Sequence, residues 1–127
     1  MAARRSSATA RRAPELALHV AVSRFLRAAL PGDATYTTFP LGGGGYARGQ
    51  RLKAMGTRAG WPDLQVLYAG HAFLIELKSP DGRLSEDQVC THRRIINAGC
   101  PVLVARSLEE VDAALRNWGI PLHARVA

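Results

Sequence analysis

No stretch of this chain approaches the ~20 consecutive apolar residues that span a bilayer, and no signal-type apolar segment follows its first residues. A membrane partner is therefore not expected, and the reading is of a cytoplasmic protein. Cysteine is scarce: Cys90 and Cys100 form neither a CxxC nor a zinc-ligand spacing, so they read as reduced thiols. Lysine is scarcer still for so basic a chain, with Lys53 and Lys78 the two lysines among 17 basic residues. Acid is missing altogether from residues 34–62. No internal repeat is visible, and the GGGG run is followed by no GK[ST], which removes the phosphate-loop reading.

What is present suits one domain. The 127 residues are 47% apolar and 21% charged, ordinary values for a globular protein large enough to bury a core. The net charge of +7 favours a polyanionic partner. Part of that charge sits in residues 1–13, MAARRSSATARRA, where Arg4, Arg5, Arg11 and Arg12 follow no apolar period. The expectation is a disordered basic leader over 1–13, a folded domain over 14–120 and a tail over 121–127. Without those four arginines the rest carries 13 basic and 10 acidic residues. Basicity alone is thus a weak pointer to nucleic acid.

Pro14 fits the first turn of a helix. From there Leu18, Val22, Phe25, Leu26 and Ala29 make one apolar stripe, stopped by Pro31-Gly32. Residues 35–41, TYTTFPL, suggest a strand with a break at Pro40. GGGGYARGQRLKAMGTRAG reads as a glycine-punctuated loop. A hairpin follows, turning at Ala69-Gly70. Ser85 starts a helix that ends at Gly99; PVLVA, 101–105, is a buried strand; Ser107 and Glu110 open a last helix. The order helix, three strands, helix, strand, helix predicts an α/β fold with a mixed sheet: a three-stranded meander and a fourth strand reached by a helical crossover.

The hairpin carries an oddity. In GWPDLQVLYAGHAFLIELKS, Asp63 opens the first apolar run and Glu76 and Lys78 close the second. Alternation along a strand puts Glu76 and Lys78 on one face, with Ile75 and Leu77 on the other. A two-residue turn at Ala69-Gly70 sets Asp63 opposite Glu76, with Cβ atoms roughly 4.5–5.5 Å apart. Two carboxylates that close repel unless neutralised. One can stay protonated, Lys78 can form a structural ion pair, or a hard divalent cation, Mg²⁺ or Mn²⁺, can bridge both.

Gly60-Trp61-Pro62-Asp63, then Glu76-Leu77-Lys78, then Gln88 resembles the PD-(D/E)XK nuclease superfamily, and within it the virus-type replication-repair nuclease (VRR-NUC) domain. That family has Gly-x-Pro-Asp before one catalytic strand, acid-x-Lys on the next and a Gln opening the following helix. It also carries a Glu on its first helix, a position Glu15 matches. The resemblance covers about residues 14–118 and implies a restriction-endonuclease-like αβββαβ core with flanking helices. It implies that Asp63 and Glu76 bind the metal with the Leu77 backbone carbonyl and Glu15, and that Lys78 orients or deprotonates the attacking water. An always-charged Arg could not serve as that base, so a lysine here is informative in so arginine-biased a chain.

The implied function is metal-dependent endonucleolytic hydrolysis of DNA, with branched substrates such as Holliday junctions, a role in DNA repair, and a homodimer to cut two strands. Arg48, Arg51, Lys53 and Arg58 are the candidate phosphate contacts. Tyr46 and Trp61 are candidates for stacking on a base, Trp61 equally for packing under the hairpin. Gln88 has two readings, N3 partner of Ser85 in a capping box or orienter at the site. Glu15 is also favoured by the helix dipole in a first turn. His19 lies one turn after Glu15; His71, His92 and His123 show no metal-ligand spacing. Two other classes stay open: a nucleic-acid-binding module with a vestigial site, and a structural protein whose charges are an ion pair.

Overall fold

The computed structural model describes residues 2–39 and 45–123, with the backbone alone for 2–13. Its elements run α1 (Ala2–Ala29), β1 (Thr35–Thr38), α2 (Gly45–Ala54), β2 (Leu64–Tyr68), β3 (His71–Leu77), α3 (Glu86–Asn97), β4 (Val102–Ala105) and α4 (Leu108–Asn117). The sheet order is β1-β2-β3-β4. β1, β2 and β3 form the antiparallel meander, and β4 joins β3 in parallel after the α3 crossover. The α/β fold with a mixed sheet is as expected.

Alternation sorts the sheet into two faces. Leu64 and Val66 of β2 and Phe73, Ile75 and Leu77 of β3 point to the face covered by α1 and α4. There they meet Val22, Phe25, Leu26 and Ala29 of the α1 stripe and Val111 and Leu115 of α4. Each such buried aliphatic side chain contributes about 1.5–3 kcal/mol. Residues Leu74 and Glu76 face the other side, under α3, whose Gln88 and His92 approach Glu76. The hairpin turns at Ala69 (φ 51°) and Gly70 (φ 80°), the two left-handed residues of a type I′ turn.

Three expectations are corrected. The leader is helical rather than disordered: α1 begins at Ala2 and carries Pro14 in its interior. Ala and Arg are strong helix formers, and a turn that extends an already docked helix needs no new nucleus. That outweighs the missing Pro14 N–H, which costs about 3 kcal/mol in a helix interior. The segment read as a loop contains α2, because from Tyr46 to Ala54 only Gly49 opposes a helix. The tail is not separate from residue 121: Leu122 packs on the core, and the His123 N–H donates to the Ala29 carbonyl (2.7 Å). The break expected at Pro40 and the run Gly42–Gly44 lie outside the described residues.

Candidate active site

Asp63 is held from three directions before β2 begins. Gly60, at φ 80°, lies so close to the start of α3 that a Cβ there would overlap the Asp87 carbonyl. The Thr91 hydroxyl donates to the Ala59 carbonyl (2.6 Å), tying the same segment to α3. The Phe39 N–H donates to the Asp63 carbonyl (2.9 Å), and the Leu77 N–H donates to Asp63 Oδ2 (2.8 Å). Leu64 pairs with Ile75, so the next pair along the ladder is Asp63 with Glu76, the register that the two-residue turn predicts.

Glu76 is 2% exposed. Gln88 Nε2 donates to its Oε1 (2.5 Å), and Lys78 Nζ lies 3.8 Å from the same oxygen. The other oxygen, Oε2, has no hydrogen-bond partner; His92 Nε2 stands 3.9 Å away, buried and equally unpartnered. Gln88 is the capping-box partner of Ser85 and also touches Glu76. Its Oε1 accepts the Ser85 N–H (2.9 Å) as a capping-box partner while its Nε2 reaches Glu76. The cap fixes the amide's orientation, which leaves the NH₂ aimed at the carboxylate.

Burial, then the neighbouring Asp63 charge, pushes Glu76 up to about 8, with Lys78 opposing. Asp63 is also raised by burial, offset by the Leu77 N–H, His19 and Lys78. Burial lowers His92, favouring its neutral form. Glu76 has the higher value folded than unfolded, so the folded chain holds a proton that the unfolded chain releases. Its contribution to stability is full below about pH 4.5 and is lost as pH rises through about 8. In EDTA the melting temperature should fall by several degrees, on the order of 5 °C, between pH 5 and pH 9. Glu76→Gln should flatten that decline; a wild-type slope in the variant would exclude Glu76 as its source.

The remaining candidates fall into two groups. Glu15 Oε1 accepts the Ser79 N–H at 3.4 Å and shares a small cavity, about 210 Å³, with Leu16, His19, Asp63 and Leu77. Lys53, from α2, and Arg58, just after it, line a larger cleft of about 670 Å³ that ends on Asp63 and Gln88. Arg48 and Arg51 are exposed on α2, outside that lining. Tyr46 is 83% exposed, whereas Trp61 is half-buried edge-on to Phe39. Sequence reasoning misses two residues. His92 follows Gln88 by one helical turn, a spacing that could have found it. Arg106, whose Nη1 donates to the Ser79 and Gly82 carbonyls (2.6 Å each), staples the turn after Lys78. No local pattern signals it.

The donor set fits a hard cation. Asp63 and Glu76 offer carboxylate oxygens, and buried Glu76 Oε2 has no partner of its own. Among the described residues no three His, Cys, Asp or Glu side chains converge as a metal set. Two carboxylates are nevertheless what Mg²⁺ ordinarily takes from protein, its other ligands being water and substrate.

No family sequence model matches the chain, and no curated protein matches it in sequence. Its structure is similar to a solved VRR_NUC domain, with a TM-score of 0.57 and 20% identity, over 83% of this chain and 97% of that one. The four-stranded mixed sheet with flanking helices, whose central hairpin is entered by GWPD and ends on ELK, therefore has the fold of a VRR_NUC domain.

Proposed function

We propose that the chain is a metal-dependent, structure-selective DNA endonuclease, a Holliday-junction-resolvase-like enzyme that works as a homodimer on DNA in the cytoplasm. One observation carries this reading: a buried carboxylate, Glu76, and a half-buried one, Asp63, face each other across a hairpin, the first without enough partners, beside a lysine and near a cationic cleft. An ion pair alone would leave Glu76 Oε2 uncompensated, which is costly in a buried site.

In this reading Asp63 and Glu76 hold Mg²⁺ or Mn²⁺, with the Leu77 carbonyl and Glu15 contributing. The bound cation supplies charge neutralisation at the phosphate and a more acidic water. The Leu77 N–H keeps Asp63 from rotating away, and Gln88 fixes one Glu76 oxygen so that the other stays available. Lys78, on the Glu76 face, orients the attacking water by hydrogen bonding. Lys53 and Arg58 meet backbone phosphates. Two such sites in a symmetric dimer would cut two strands of a branched substrate.

Four-way junction, flap and linear duplex DNA, incubated with the wild type, should be cut only with Mg²⁺ or Mn²⁺, the branched forms fastest. Lys78→Ala should lower the rate about 10²-fold or more while the metal still raises the melting temperature. Cleavage undiminished in Lys78→Ala would remove the mechanism. Cleavage of no substrate in either metal would remove the nuclease reading.

A further inference from the structure

α2 buries none of its side chains, yet it lines, through Gly49 and Leu52, the 670 Å³ cleft that reaches Asp63. Leu16 of α1, Phe39 and Trp61 line it as well. The cations Lys53 and Arg58 border this apolar space, which runs inward to Asp63. A continuous duplex offers phosphates, sugars and base edges but keeps its base faces stacked inside, so it has no flat face to lay in an aromatic recess. An apolar recess edged by cations instead complements a flat base joined to a phosphate. Its volume of about 670 Å³ is in the range of sites that hold a small ligand the size of one nucleotide.

We propose that this cleft takes up one unpaired nucleobase adjoining the phosphate at Asp63, so that the protein selects DNA with an unstacked nucleotide next to the cut over fully paired duplex. This rests on the nuclease reading and names the structural feature the site selects. The Trp61 ring is the stacking platform. It meets Phe39 at 81° with centroids 6.4 Å apart, and it also borders a second recess of about 290 Å³. Its distance along the chain from Asp63 is two residues, which places base and phosphate within one nucleotide's reach.

The test is equilibrium binding in EDTA with two duplexes of equal length, one fully paired and one with a single bulged 2-aminopurine. The wild type should bind the bulged duplex about tenfold more tightly, with 2-aminopurine fluorescence falling as the base stacks on Trp61. Gly49→Leu puts a bulky apolar side chain at a position that lines the cleft, where nothing lies within 4 Å of a Cβ, and it replaces a helix-weakening glycine. That variant should bring the two affinities to within about twofold, and Trp61→Leu should abolish the fluorescence change. Equal wild-type affinities, or a preference that persists in Gly49→Leu, would overturn the proposal. Adding Mg²⁺ or Mn²⁺ separates the two readings. Selective binding without cleavage of either duplex leaves the cleft standing and sinks the nuclease, and cleavage without binding preference does the reverse.

Discussion

Asp63→Asn should abolish metal-dependent cleavage and leave the fold intact. The amide keeps an acceptor oxygen for the Leu77 N–H, now 2.8 Å from Asp63 Oδ2, so the clamp between the two strands survives. What disappears is the charge. A site with two carboxylates then has one, and the loss of charge stabilisation at the reacting phosphate should slow cleavage by about 10³-fold or more. In the metal-free protein the substitution also removes the second-largest influence holding the Glu76 proton in place, the Asp63 charge. The apo variant should therefore melt no lower than wild type at pH 8. Differential scanning with and without Mn²⁺ checks both parts: the wild-type melting temperature rises with metal and that of the variant does not. A full metal response in Asp63→Asn would mean that the cation, if bound at all, sits elsewhere.

Gly60→Ala should be the most damaging Gly→Ala change among the described glycines. The new Cβ would overlap the carbonyl carbon and oxygen of Asp87 and stand 2.6 Å from the Gln88 nitrogen. All three are backbone atoms, so no side chain can swing aside. The residue also holds φ 80°, a left-handed conformation that costs an L residue about 1–2 kcal/mol. Relief requires α3 to move, and α3 carries Gln88 and His92, the two groups that face Glu76. A melting temperature lower by more than about 10 °C, or failure to fold, is expected. Gly70→Ala is the control, because it shares φ 80° with nothing within 4 Å of its Cβ. It should lose only the conformational part, about 1 kcal/mol. Equal losses in the two variants would show that the contact with α3 contributes nothing.

Much of the site is legible in the order of residues along the chain. The Gly60 position illustrates how far: GWPD is recognisable as a motif, but the reason for its glycine is the backbone of α3, which is 27 residues away at Asp87. The hairpin register is legible because a two-residue turn leaves no slack and strand side chains alternate. Gln88 is legible as a helix cap and as a candidate for the site, though nothing local shows that one amide reaches both Ser85 and Glu76. The leader and α2 go the other way. Each has helix-forming residues without an apolar stripe, and periodicity finds helices by the stripe they bury. His92 lacks metal-ligand spacing, and its place is set instead by how α3 lies across β3.

By itself, then, the sequence determined that Asp63, Glu76 and Lys78 share one face of a hairpin. That follows from local rules, a period of two and a turn of two residues, which operate over fewer than twenty positions. Only the tertiary structure decided that Glu76 is 2% exposed, that its proton is held up to about pH 8, that His92 faces it, and that a cleft with two cations opens beside it. Burial and charge proximity depend on how α1, α3 and α4 pack on the sheet and on where α2 stands beside them. Those contacts join residues far apart in the chain, and no short-range pattern encodes their distances.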